Sequence, residues 1–182
     1  VFRASQGGGA SHVADGWLTY LLPNSQGVLY RDSIEVDEQK YPILVQEVYV
    51  LQDSEGAGRM RGAPGSVCVY GPRHDPLTVM YVGDSHHSAP RGVRGGLPGG
   101  RLDAMLVKAS GDTRQLRHVD SVILEPGDWI VGQQAGGGGY GDPLERDPDR
   151  VRHDVSEKWI SLARARDVYG VEFTGSPSDE SF

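Results

Sequence analysis

A chain of 182 residues with 37% hydrophobic and 24% charged side chains holds enough apolar material for one packed domain, with room for a small appendage. Its formal net charge of -7 lacks the basic footprint that a phosphate backbone requires, so nucleic acid is not an expected partner and an anionic membrane is disfavoured. No run of about 18 apolar residues occurs, so no transmembrane helix is expected, and the N-terminus lacks the pattern of a secretory signal.

The single cysteine, Cys68 in Ser-Val-Cys-Val-Tyr, excludes an internal disulfide and suits a reducing, cytoplasmic setting; it reads as a buried strand residue. The 26 glycines are about twice ordinary usage, which favours β structure joined by irregular loops.

In chain order, Ser5 to Gly16 is a glycine-rich loop leading into an expected strand from Trp17 to Leu22. Ser33-Ile-Glu-Val36 is a short alternating segment. Ile43 to Leu51 is the best strand signal, and because neither of its faces is cleanly polar it is expected to be buried within a sandwich or against another subunit. Asp53 to Gly65 reads as a loop. The strands Ser66 to Tyr70 and Leu77 to Val82 flank the turn dipeptide Gly71-Pro72 and are expected to pair. A second long loop runs from Gly83 to Gly100. Strands follow at Leu102 to Lys108, Ser121 to Leu124 and Trp129 to Gln133, the last two joined by the tight turn Glu125-Pro-Gly-Asp128.

Ala135 to Pro143 then places Gly136, Gly137, Gly138 and Gly139 before Tyr140, Gly141 and Asp142. Four consecutive glycines permit positive φ and close backbone approach, but ordering them is entropically costly, so either tight packing or a bound group is expected against them. A phosphate loop is rejected: Tyr140-Gly-Asp-Pro follows where a Lys-Ser or Lys-Thr and an immediate helix are needed. Beyond it, Asp147-Pro148 caps a helix with Val151 and Val155 on one face, and Ser161 caps a second that Gly170 stops. Val171 to Phe173 reads as a last strand. The expected architecture is mainly β with a small helical C-terminal region, divided into a β-rich glycine-loop part at 1–145, a helical element at 146–174 and a disordered tail at 175–182.

Three clusters invite chemistry. Asp84, His86 and His87 are metal-ligand types, but neighbouring strand residues point to opposite faces, so they converge only in a loop; exposed loop histidines are the competing reading. His12 with Asp15 is a similar weak pair. Arg59 and Arg61, among small residues, suit gripping a phosphate or carboxylate, whereas pairing with Asp53 and Glu55 would merely pin the loop. No serine lies in a nucleophile elbow.

The glycine triplet before Asp15-Gly16, Ser33-Ile-Glu-Val with Glu38 and Tyr41-Pro42, Asp53-Ser-Glu-Gly-Ala-Gly-Arg-Met-Arg-Gly62, Leu124-Glu-Pro-Gly-Asp128, Gly136 through Pro148, Asp154-Val155 and Ala165-Arg-Asp-Val-Tyr-Gly170 together resemble the later part of the hydantoinase B/oxoprolinase family. Ala63-Pro64 departs from it, since a second glycine after Gly62 is usual. The resemblance implies a β-rich piece of a large enzyme subunit working with a hydantoinase A-type ATP-binding subunit. Such enzymes use ATP with Mg to activate a cyclic amide or a ketone enol by phosphorylation, then hydrolyse the ring or carboxylate the carbon, often with a divalent metal such as Zn or Mn. Family members are much longer, and the related carboxylases place their metal ligands in the preceding part. The chain, which starts at Val1, is therefore expected to be a split subunit, a cleavage product or a fragment, inactive alone and partnered by a chain carrying the N-terminal part. Its own contribution would be a wall of a substrate or intersubunit cavity, with Arg59, Arg61, Asp84, His86 and His87 as polar contributors. A stand-alone cupin-type metalloenzyme is the rival fold reading, though His86-His87 lacks the spacing it needs, and a non-catalytic scaffold is the rival function.

Overall fold

The computed structural model describes residues 6–18 and 33–174. Among the described residues, seven strands form two antiparallel sheets. Strands β1 (Ile43–Val50), β2 (Ser66–Pro72), β4 (Asp103–Val107), β5 (Thr113–Gln115) and β7 (Trp129–Gln133) make a five-stranded sheet in the order β1-β2-β7-β4-β5. Strands β3 (Leu77–Val82) and β6 (Val119–Leu124) pair as a separate ribbon.

Alternation sets the core. In β4 and β7 every second residue is buried, which puts Ala104, Leu106 and Ile130 on one face, where they meet Leu116 and the inward Val79, Val122 and Leu124 of the ribbon. The ribbon's other face leaves Met80, Val82, Val119 and Ile123 exposed.

Several expectations change here. Ser66 to Tyr70 and Leu77 to Val82 do not pair: β2 lies between β1 and β7, while the chain after Pro72 crosses to the ribbon. Gly71-Pro72 is part of a strand and not a hairpin turn, and the backbone pairing of β2 is already taken on both sides. Ser33-Ile-Glu-Val36 begins a helix, α1 (Ile34–Lys40), because the Ser33 hydroxyl accepts from the Val36 amide and Glu35 and Asp37 occupy the first turn. Among the described residues β1 lies at the edge of the sheet, with Val48, Tyr49 and Val50 between 39% and 49% exposed, so its apolar pattern is not buried within a sandwich. Its bulge between Val45 and Glu47 is held by Glu38, whose carboxylate accepts from the Val45 amide at 2.8 Å. Trp17 and Leu18 are not in a strand, and the rest of that expected element lies outside the described residues, as does the tail at 175–182. Val171 to Phe173 is irregular chain.

The C-terminal helices form as their caps dictate. Helix α2 (Pro148–Ser156) starts at Asp147, whose side chain accepts from the Asp149 amide; α3 (Leu162–Tyr169) starts at Ser161 and ends at Gly170 with φ 68°. Val151, Ile160, Ala165 and Tyr169 pack with Ala57 in a second small core.

Next to the second core, with which it shares Ala57, lies a layer in which backbone packs on backbone. None of Gly136 to Gly139 takes the left-handed conformation that their freedom allows. Their need is for space. A β-carbon on Gly136, Gly137, Gly138 or Gly139 would overlap the carbonyl oxygen of Ser54, Gly8, Arg91 or Ala57 respectively. Gly136 and Gly139, three residues apart, both face the segment from Ser54 to Ala57. Hydrogen bonds stitch these segments together: Gly137 donates to Ala63 at 2.8 Å and accepts from Gly56 at 2.8 Å, Gly138 accepts from Ala10 at 2.9 Å, and Gly139 donates to Leu97 at 3.0 Å and accepts from Val93 at 2.9 Å. Tight packing against the chain's own backbone supplies the compensating contact.

Candidate functional site

Beside the glycine layer, the loop around Arg61 and the first turns of the C-terminal region enclose an open pocket of about 400 Å³, lined by Asp15, Arg61, Arg146, Asp149, Arg150, His153, Asp154 and Trp159. Its floor is an ion-pair clamp. Asp154, at the buried face of α2, accepts from Arg61 Nε at 2.9 Å and from Arg146 Nη2 at 2.8 Å. Arg146 also grips Asp15 with both terminal nitrogens, at 2.8 and 2.9 Å, in the fork geometry that guanidinium and carboxylate favour. Asp15 in turn accepts from the Arg61 backbone amide at 2.8 Å. The Arg61 guanidinium lies 4.6 Å from the centre of the Trp159 ring, which His153 meets edge-on.

Electrostatics follow from this geometry. Burial alone would raise the Asp15 carboxyl, but the hydrogen bonds and charge of Arg146, with help from Arg61, outweigh it and hold Asp15 below its usual range. Glu55, in the second core, goes the other way: burial pushes its carboxyl up despite Arg164 at 2.6 Å and the Tyr169 hydroxyl at 3.1 Å. Only one Glu55 oxygen is served; Oε2 has no hydrogen-bond partner among the described residues, and neither has Arg146 Nε.

Three guanidinium groups face three carboxylates in the pocket, so its floor carries no net charge for an anion, and Arg61 and Arg146 are already committed. Arg150 and His153 are its exposed donors. This arrangement shapes a wall, and it offers no nucleophile beside a base.

The expected site residues separate. Arg61 is 4% exposed and belongs to the clamp, and its partners are Asp154 and the Asp15 carboxylate's network in place of Asp53 and Glu55. Asp53 instead accepts from the Ser161 amide, and Glu55 holds Arg164. Arg59 stays partly exposed, 3.9 Å from Glu145, with its Nη2 donating to the His12 carbonyl. Asp84 opens a 3-10 turn, Asp84–His86. His86 turns to the Tyr81 hydroxyl at 3.1 Å, whereas His87 meets the ring of His118 at 5.1 Å between centres. The pair diverges, and among the described residues no group of three histidine, cysteine or acidic side chains is placed to hold a metal ion. These residues do not fit a metal centre. Nor do Gly136 to Gly139 fit nucleotide phosphates, since backbone fills the space around them. Residue-type reasoning passed over Asp154, Arg146, His153 and Trp159; the signal available was the spacing of Arg146 and Asp154 behind the glycine run.

A two-layer β fold with a backbone-packed glycine layer and a helical clamp defines the structural class. Residues 2–143 match the family model for hydantoinase B/oxoprolinase, and the chain belongs to that family. It is 31% identical over 175 residues to the caprolactamase subunit beta of Pseudomonas jessenii, covering 93% of this chain and 30% of the relative. The crystal structure of the ATP-dependent caprolactamase from the same organism superposes with a TM-score of 0.75 at 28% identity, covering 94% of this chain and 30% of that one. The acetone carboxylase alpha subunit of Xanthobacter autotrophicus is 26% identical over 205 residues, covering 92% of this chain and 26% of the relative. The chain thus spans less than a third of the length of these relatives. Among the described residues no helix is long and apolar enough to cross a membrane.

Proposed function

We propose that the chain is a wall-forming piece of a hydantoinase B-type enzyme that opens a cyclic amide of the lactam, hydantoin or 5-oxoproline type with ATP. The observation that carries this reading is the 31% identity to a caprolactamase subunit across 93% of the chain. The clamp and glycine layer supply rigidity, while ATP with Mg, the Zn or Mn ion and the reacting groups belong to other chains: a hydantoinase A-type ATP-binding subunit and a chain equivalent to the N-terminal part of the longer relatives. The isolated chain turns over nothing.

Reconstitution tests this. The chain, mixed with both partner chains, should support ring opening of caprolactam, a hydantoin or 5-oxoproline coupled to ATP hydrolysis, and omission of any chain should abolish it. Turnover by the isolated chain would overturn the reading. A ketone carboxylase is the second reading, favoured by 26% identity to an acetone carboxylase subunit over 92% of the chain; incorporation of labelled bicarbonate into acetone, without lactam opening, would select it. Arg59→Ala removes the more exposed of the two expected loop arginines, and unchanged turnover in an assembled complex would leave the chain a scaffold.

A further inference from the structure

Residues 88–101, Ser-Ala-Pro-Arg-Gly-Val-Arg-Gly-Gly-Leu-Pro-Gly-Gly-Arg, carry three arginines and no carboxylate, in a chain whose net charge is -7. The segment is pinned along the glycine layer: Val93 donates to Gly139 and accepts from Gly141, Leu97 donates to Ala57 and accepts from Gly139. Between Val93 and Gly96 it reverses. Gly96 donates to the Val93 carbonyl at 3.0 Å, with φ 56° at Arg94 and φ 96° at Gly95, the signature of a type I′ turn. The first central place of such a turn ordinarily goes to Asn, Asp or Gly, because a β-carbon crowds the backbone there. An arginine is a destabilising choice for the turn itself, so its side chain is the feature that needs a reason.

That side chain is exposed, and among the described residues it has no ion pair or hydrogen bond; the same is true of the side chains of Arg91 and Arg101. Val93 and Leu97, 53% and 39% exposed, flank it. Arginine framed by apolar side chains on a backbone that cannot relax is the composition of a binding hot spot, and the rigid base means little ordering is needed on contact. A free phosphate fits less well, since Asp142, whose backbone lies against Gly95, is an exposed carboxylate beside the turn.

We infer that the 93–96 turn is a protein-docking element, which seats Arg94 in a carboxylate-bearing recess of a partner subunit, with Val93 and Leu97 on apolar surface around it. This rests on the reading of the chain as one subunit of a larger enzyme. The test is the dissociation constant of the reconstituted complex with the ATP-binding and N-terminal-part chains, for wild type, Arg94→Gly and Arg94→Glu. Arg94→Gly relieves the turn, so the isolated chain should melt no lower than wild type while the complex weakens roughly tenfold or more and loses part of its salt dependence. Arg94→Glu should weaken it further. Wild-type assembly with both variants binding equally well overturns the docking role and leaves the subunit reading standing; failure of the wild-type chain to assemble overturns both. Competition by millimolar inorganic phosphate that Arg94→Gly abolishes would assign the residue to a small anion and also overturn the docking role.

Discussion

Asp154 ties three parts of the chain that are far apart in sequence: its own helix, the Arg61 loop and Arg146, which carries Asp15 with it. Because the carboxylate is 1% exposed, removing it leaves the buried Arg61 guanidinium without its carboxylate and the buried Arg146 with Asp15 alone. Asp154→Ala should therefore destabilise the chain by about 3–5 kcal/mol, measured by urea unfolding. The pH dependence has two limbs of opposite sign. Asp15 is held below its ordinary 3.8, so its stabilisation is present above that value and is lost as the pH falls through the folded-state value. Glu55 is raised above 4.5, so its contribution is complete below 4.5 and is lost as the pH rises through its folded-state value. In a series of Tm against pH, Asp15→Asn should flatten the acid limb and Glu55→Gln the limb above 4.5. At this scale the sequence was only partly legible. Arg59 and Arg61 were visible as unusual arginines, but nothing in local spacing says that Arg61 pairs across 93 residues with Asp154. Long-range ion pairs leave no periodic trace.

At the scale of elements, the strands with clean alternation or dense β-branching were legible because a period of two survives in the sequence: Ile43 to Val50, Ser66 to Tyr70, Leu77 to Val82 and Trp129 to Gln133 all fall in strands. Which strand pairs with which was not. The Gly71-Pro72 dipeptide reads as a turn, yet pairing is decided by the two flanking strands β1 and β7, which sequence proximity does not reveal. Thr113 to Gln115 carries no apolar pattern because all three residues are exposed, so β5 had no signal. The helices were legible through their caps, except α1, whose four-residue start imitates alternation. The glycine run was legible as a place needing close contact, and the contact proves to be backbone. Gly137→Ala would drive a methyl group into the Gly8 carbonyl, and neither partner is a side chain that can swing away. The expected loss is at least about 3 kcal/mol, above the usual range for overpacking, read from denaturant unfolding. Alanine at Gly111, which has open space but φ 92°, should cost less, through backbone strain alone.

For the whole molecule, two small cores accompany a layer in which backbone packs on backbone. The sheet core is built from residues 79–130 and the helical core from Ala57 with residues 151–169, so each can form from largely contiguous chain. The layer cannot. Gly7 donates to Ala135, Ala10 to Gly138 and Gly56 to Gly137, joining stretches far apart in the sequence. Apolar surface is left exposed after these layers close, on the β3-β6 ribbon and on strand β1. Because long loops must close before the backbone hydrogen bonds of the glycine layer can form, the layer is expected to form late, after the transition state. Alanine substitutions within it should thus speed unfolding and leave the folding rate nearly unchanged. On that expectation the rigidity of this layer is acquired late, and the Arg94 turn, which Val93 ties to Gly139 and Gly141, should form with it.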